Sequence, residues 1–155
     1  MLTVYRASAG AGKTHKLTGE YLTLLFGGTG AYRRILAVTF TNKATDEMKG
    51  RIVEELYNLS SGRKSDYVES LRATYALTEE QVRKQAKKIL TDILHDYSAF
   101  NISTIDRFFQ QTMRAFTREI GLQGGYGIEM DQELVLTSAV DNLLADLEKP
   151  ESKKL

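Results

Sequence analysis

The sequence predicts an α/β fold, because three short β-prone runs alternate with helical segments. Residues 35–40 (Ile-Leu-Ala-Val-Thr-Phe) are almost wholly apolar, which is typical of a parallel strand buried on both faces. Residues 2–5 and 100–104 have the composition of two further strands. Since helical segments separate the runs, we expect a three-stranded parallel sheet core with right-handed crossovers and flanking helices.

Apolar periodicity predicts the helices between these strands. A first helix runs from Lys13 to Phe26 and ends at the glycine cluster 27–30. A second follows Thr41 or Asn42 as its N-cap and ends at residues 60–62.

Two capping patterns predict the starts of later helices. Thr78 and Gln81 match a capping box ahead of a helix that continues to Tyr97, within a helical segment at about 63–97. Ser103 and Asp106 have the spacing of a second box. A glycine-rich break at 121–127 precedes a last helix, so we expect a helical extension over 121–149 and a tail over 150–155.

Composition excludes several classes of protein. Apolar residues make up 42% and charged residues 26% of the 155, a globular balance. With no cysteine, disulfides and thiolate metal sites are excluded, and we expect a cytoplasmic protein. No apolar run reaches the roughly 18 residues of a membrane span, and no secretory signal is visible. The net charge of +1 argues neither for nor against nucleic acid.

The segment Ala7–Thr14 (Ala-Ser-Ala-Gly-Ala-Gly-Lys-Thr) is close to the P-loop pattern G-x-x-x-x-G-K-[ST]. Triphosphate oxygens need several inward-pointing backbone N–H groups, and Gly10 and Gly12 give the loop the conformational freedom for that. Lys13 supplies a mobile cation for the β- and γ-phosphates, and the Thr14 hydroxyl is a Mg²⁺ ligand. The one departure is alanine at the first position.

Three segments together resemble the first motor domain of superfamily 1 DNA helicases, the UvrD/RecB/AddA group. They are the P-loop, the string Ala37–Ile52 (Ala-Val-Thr-Phe-Thr-Asn-Lys-Ala and onward), which is similar to motif Ia, and Ile102–Phe109, which is similar to motif Ib. The resemblance covers roughly residues 2–120. It implies a P-loop NTPase (RecA-like) partial domain, and a motor that moves along single-stranded DNA using ATP and Mg²⁺.

The resemblance also implies roles for particular residues. Lys13 and Thr14 would be catalytic, and Thr14 would hold Mg²⁺. Nucleotide contacts are expected from Ser8, Ala9, Gly10, Ala11, Gly12, Lys13, Thr14 and His15. Contacts to DNA are expected from Phe40, Thr41, Asn42, Lys43 and Thr104.

Structural alternatives stay open for some of these residues. Phe40 also fits a strand-end core residue, and Thr41 and Asn42 fit plain N-caps. His15 fits either a ring lying against adenine or an exposed helix histidine. Motif Ib usually has histidine where this chain has Asp106, whose carboxylate is better suited to capping than to phosphate.

The later acids of such a motor are not found in the sequence, since no Asp-Glu pair follows residue 104. We therefore expect residues 1–120 to be the N-terminal half of a first motor domain, inactive alone, with exposed apolar patches or self-association. The expected partners are single-stranded DNA and the rest of the helicase: a second motor domain, with or without a nuclease domain. Two alternatives are a P-loop small-molecule kinase and a non-catalytic nucleotide- or DNA-binding module.

Overall fold

The computed structural model describes residues 3–5, 12–116, 129 and 131–148. The chain divides into two compact units, residues 1–112 and 113–155. The first unit contains both strands of the described sheet and most of the helices. The glycine-rich break at 121–127 and the tail at 150–155 lie outside the described residues.

Helix α1 spans Lys13–Phe26, the predicted bounds, and ends at Gly27. It begins after Gly12, whose φ of 74° lies in the left-handed region that favours glycine. A short 3-10 helix, Ala31–Arg34, then leads into the first strand. The glycine cluster therefore separates α1 from the sheet, as the sequence predicts.

Three α-helices and a short 3-10 helix, Tyr97–Ala99, separate the two strands. Helix α2 spans Asn42–Ser61; its N-cap is Thr41, whose hydroxyl accepts a hydrogen bond from the Ala44 amide at 3.1 Å. Gly62 ends α2 in the left-handed conformation, with φ 71°. Helices α3 and α4 span Val68–Tyr75 and Glu79–His95.

The predicted capping box of α4 is confirmed. The Thr78 hydroxyl accepts from the Gln81 amide at 3.2 Å, and the Gln81 side chain accepts from the Thr78 amide at 2.8 Å. These two bonds satisfy N–H groups that a helix end otherwise leaves without partners.

The described sheet has two strands, β1 (Ala37–Thr39) and β2 (Ile102–Thr104), paired in parallel. The predicted third strand, residues 2–5, is not confirmed, since the described residues 3–5 are not in a strand. The Tyr5 hydroxyl instead donates to Glu20 of α1 at 2.9 Å. A short β-prone run needs a neighbouring strand to satisfy its backbone, and residues 3–5 pair with neither β1 nor β2.

The prediction that β1 is buried on both faces is wrong for the described part of the chain. Side chains at alternate positions share one face of a strand, and on that face Leu36, Val38 and Phe40 are 49%, 46% and 87% exposed. The opposite face carries Ala37 and Thr39, both partly buried. Only one face of β1 is thus covered by the described residues.

The hydrophobic core lies among the helices rather than around a central sheet. The buried residues of this core are Tyr21, Leu22, Leu25, Phe26, Tyr32, Ile52, Leu56, Leu59, Tyr67, Leu71, Val82, Ala86, Ile89, Ile93, Phe100 and Ile102. Most come from α1, α2 and α4, and the sheet contributes Ile102. Two three-residue strands offer too few inward positions to form the centre of such a core.

Helix α5 spans Ile105–Ala115, and its predicted cap is wrong. The Arg107 amide donates to the Thr104 hydroxyl at 3.2 Å, whereas the Ser103 hydroxyl donates to the main-chain oxygen of Thr104. Ser103 is a residue of β2, so the cap falls one position later, where the strand ends. Asp106 is therefore a first-turn acid near the positive helix end.

The second unit contains α6, Gln132–Glu148, which agrees with the helix predicted there. The Asp131 carboxylate accepts from the amides of Glu133 and Leu134, at 3.0 and 3.1 Å, and so caps this helix. Over the described residues, no helix is long and apolar enough to cross a membrane.

Candidate nucleotide and DNA site

The described part of the predicted P-loop consists of its last three residues. Gly12 takes the positive φ that a phosphate-binding loop requires, and its carbonyl accepts from the Lys16 amide at 3.0 Å to open α1. Lys13 and Thr14 form the first turn, and both are exposed. The remaining predicted nucleotide contacts, Ser8, Ala9, Gly10 and Ala11, lie outside the described residues.

The first turn of α1 is held from within the helix as well. The Thr18 hydroxyl, fully buried, donates to the Thr14 carbonyl at 2.9 Å. The positive end of α1 favours an anion at this position, and the exposed Thr14 hydroxyl is an oxygen ligand of the type that Mg²⁺ accepts. The chemistry of this turn therefore fits a magnesium–triphosphate ligand.

His15 contacts the segment between α2 and α3. Its imidazole stacks on the ring of Tyr67, with centroids 4.8 Å apart, and its Nε2 lies 3.5 Å from a carboxylate oxygen of Asp66. More than half of the His15 side chain is still exposed. The predicted contact with adenine stays a prediction. The imidazole is partly exposed, and its ring already stacks on Tyr67.

A cleft of about 420 Å³ lies beside this turn, between α1 and α3. It is lined by His15, Lys16, Gly19, Glu20, Thr23, Asp66, Tyr67, Ser70 and Thr74. Glu20 is paired with Lys16 at 3.0 Å and accepts from Tyr5, and these two bonds, Lys16 first, lower the pKa of its carboxyl. The sequence does not predict this cleft, because its two walls are some fifty residues apart in the chain.

The residues predicted to contact DNA lie where the strands end. Phe40 follows β1 and is 87% exposed, so it is not a core residue in the described structure. Thr41 is the N-cap of α2, and Asn42 and Lys43 are exposed in its first turn. An exposed aromatic beside the N–H groups of a helix start can stack a base and bind a phosphate.

Thr104 lies at the same edge of the sheet. It is the ladder partner of Thr39, and the two helices that follow the strands, α2 and α5, both begin at this edge with a threonine cap. The Thr39 hydroxyl is 2.7 Å from that of Thr45 and donates to the Thr41 carbonyl at 3.1 Å. The sequence patterns do not single out Thr39 and Thr45, whose bonds fix the turn between β1 and α2.

The acids outside these motifs do not form a metal site in the described structure. Among residues 3–5, 12–116, 129 and 131–148, no group of three His, Cys, Asp or Glu side chains is arranged to hold a metal ion.

A model of the UvrD/REP helicase N-terminal domain matches residues 2–155 of this sequence. The chain belongs to that family. This membership confirms the predicted resemblance to a UvrD-like helicase domain and, with it, the P-loop NTPase fold, although a third strand is not confirmed. The kinase alternative receives no support from the match.

Named relatives cover most of the chain. The RecB protein of the RecBCD enzyme of Borreliella burgdorferi is 32% identical over 114 residues, 74% of this chain and 9% of that protein. An ATP-dependent helicase/nuclease protein of Lactobacillus acidophilus is 32% identical over 127 residues, 81% of this chain and 9% of that protein. ATP-dependent DNA helicase UvrD1 of Mycobacterium bovis is 27% identical over 144 residues, 93% of this chain and 17% of that protein.

The chain thus spans about a tenth of the length of the RecB and helicase/nuclease relatives. No solved structure matches it significantly.

Proposed function

We propose that this chain is the nucleotide- and single-stranded-DNA-binding part of an ATP-dependent DNA helicase or helicase–nuclease of recombination and repair. The observation that carries the proposal is the membership of the UvrD/REP family, with the motif residues at the start of α1 and at one edge of the sheet. In this proposal residues 1–120 are the N-terminal half of the first motor domain, and 121–149 extend from it.

The nucleotide part of the proposal rests on the start of α1. Gly12 has a positive φ, which a phosphate-binding loop can use, and Lys13 and Thr14 follow it at the positive helix end. Lys13 would neutralise the β- and γ-phosphates, and Thr14 would hold Mg²⁺. The metal supplies charge neutralisation at the phosphates, while these residues and the helix start bind and orient them.

The DNA part of the proposal rests on the carboxyl edge of the sheet. Thr41 and Thr104 each cap a helix there, so the N-terminal N–H groups of α2 and α5 point towards one edge. Phosphates of a single strand would bind to these N–H groups and to Asn42 and Lys43. Phe40 would stack a base, without preference for its identity.

Hydrolysis needs groups that we assign to the rest of the parent protein. A motor of this class requires a further acid to hold magnesium, a glutamate to activate water and an arginine for the γ-phosphate charge. No Asp-Glu pair follows residue 104 of this chain. The chain alone would therefore bind nucleotide weakly without useful turnover, and a second motor domain, with or without a nuclease domain, would complete it.

The test is the ATPase activity of the full-length product, with and without DNA. Single-stranded DNA should raise the turnover several-fold, because the proposed strand contacts and the phosphate loop belong to one domain. A full-length protein whose turnover neither single-stranded nor duplex DNA alters would refute the helicase assignment. Nucleotide binding without hydrolysis by that same product would instead favour the non-catalytic module.

A further inference from the structure

Two tyrosines, at the two ends of α3, donate hydrogen bonds to main-chain carbonyls of α1. The Tyr67 hydroxyl donates to the His15 carbonyl at 3.1 Å, and the Tyr75 hydroxyl donates to the Thr23 carbonyl at 2.6 Å. Tyr67 precedes α3 and Tyr75 is its last residue. The first bond lies at the turn that carries Lys13 and Thr14, and the second lies in the other half of α1.

Tyr67 makes two further contacts with the start of α1. Its ring stacks on the His15 imidazole, and it lies so close to Gly19 that an added Cβ there would be 3.1 Å from the Tyr67 Cε1. A glycine inside a helix is destabilising relative to alanine. The close approach of the Tyr67 ring, which is only 6% exposed, explains why a residue without a side chain occupies position 19.

The segment that carries Tyr67 is fixed independently of α1. The Tyr67 amide donates to the Ser65 hydroxyl at 3.3 Å, and that hydroxyl donates to Glu55 of α2 at 2.7 Å. Tyr67 therefore connects α2, through Ser65, to the first turn of α1.

We propose that Tyr67 is a positioning residue for the nucleotide site, which it serves by fixing the first turn of α1. This inference rests on the proposed function, since that turn carries Lys13 and Thr14. The first N–H groups of a helix have no partners within the helix, and they are the groups that a bound phosphate would meet. A turn already held in place binds phosphate without first losing conformational entropy.

The experiment compares Tyr67→Phe with Tyr75→Phe in the 155-residue chain. Each variant removes one tyrosine-to-carbonyl bond between α3 and α1 and keeps the ring, so both should lower the denaturant midpoint to a similar extent. Tyr67→Phe should weaken Mg-ATP binding by about three- to tenfold, the range of one hydrogen bond, and should speed amide exchange over residues 16–18. Tyr75→Phe should leave the affinity and that exchange unchanged.

Equal effects of the two variants on affinity and on exchange would overturn the inference. The Tyr67 hydrogen bond would then stabilise the fold in the same way as the Tyr75 bond, with no particular effect on the nucleotide site. Lys13→Ala distinguishes this failure from failure of the proposed function. If Lys13→Ala leaves Mg-ATP affinity unchanged, or if the unsubstituted 155-residue chain binds no nucleotide, the proposed function fails. The exchange pattern alone then decides whether Tyr67 fixes this turn.

Discussion

Thr39 lies directly opposite Thr104 in the parallel ladder, so β1 and β2 end at the same edge of the sheet. Each strand passes at once into a helix with a threonine cap, Thr41 for α2 and Thr104 for α5. The caps satisfy amide groups that would otherwise need solvent or a ligand. This arrangement places the starts of two helices, and both sets of predicted DNA contacts, along one edge.

The N-cap of α2 can be tested by measuring the stability of variants at Thr41. Thr41→Ala should lower the free energy of unfolding by about 1 kcal/mol, because the Ala44 amide loses its acceptor, and Thr41→Ser should restore most of it. Denaturant unfolding measures both. The control is Thr91→Ala, in the middle of α4, where the hydroxyl donates to the Lys87 carbonyl and no cap is removed. Equal losses for Thr41→Ala and Thr91→Ala would contradict the assignment of the cap.

Phe40 offers a test of DNA binding without a change in stability. Its side chain is 87% exposed, so Phe40→Ala should leave the unfolding free energy nearly unchanged. It should weaken binding of a single-stranded oligonucleotide by about tenfold, the value of one stacked base. Leu94→Ala, an exposed apolar residue of α4, is the matched control. If both variants bind the oligonucleotide like the parent chain, Phe40 does not stack a base.

Replacing Tyr21 with phenylalanine should stabilise the folded chain. Its hydroxyl is buried and has no hydrogen-bond partner among the described residues. Tyr21→Phe removes the cost of burying that group and should raise the free energy of unfolding by about 1 kcal/mol at neutral pH. Tyr57→Phe, at an exposed tyrosine, should change it by less than about 0.5 kcal/mol. A destabilised Tyr21→Phe would mean that the hydroxyl has a partner after all.

The same residue predicts a dependence on alkaline pH. Burial raises the pKa of Tyr21 above its ordinary value of 10.0. Above that value the unfolded chain loses the proton while the folded chain keeps it, so stability falls as pH rises. Tyr21→Phe should make the decline in unfolding free energy above about pH 10 less steep. An unchanged slope in denaturant titrations at a series of pH values would refute this origin of the decline.

The uncovered face of β1 predicts self-association of the chain. Leu36 and Val38 are each about half exposed on that face, and the described residues leave it without cover. Sedimentation velocity should show association that grows with concentration, and Val38→Ser should reduce it. Leu24→Ser, at an exposed leucine of α1, is the control. A chain that sediments as a monomer at every concentration would argue against an uncovered interface.

The sequence predicts the local features of this fold well. Thr41, Thr78 and Gly62 act through residues three to five positions away, so their patterns are visible in the sequence alone. The predicted cap of α5 is one residue too early because the end of β2 depends on its pairing with β1. The predicted burial of Val38 is too high for a related reason, since an apolar run does not reveal what covers it.

The proposed nucleotide site also combines residues that the sequence predicts with residues that it does not. Lys13 and Thr14 stand in a contiguous motif, and the structure places them in the first turn of α1. Tyr67 and Asp66 contact that turn from a segment about fifty residues later in the chain. No spacing rule connects residues so far apart, because only the packing of α3 on α1 brings them together.

The most direct test of the proposed nucleotide site is the binding of magnesium nucleotide to the 155-residue chain and to Lys13→Ala. Both Mg-ATP and magnesium tripolyphosphate should bind the parent chain, since the proposed contacts are to phosphate. Lys13→Ala should weaken both by at least about tenfold, the loss expected for a charge-assisted bond. Lys16→Ala, one turn further along α1 and paired with Glu20, should bind like the parent. Equal affinity of Lys13→Ala and the parent chain for both ligands would contradict the central claim that this turn binds a triphosphate.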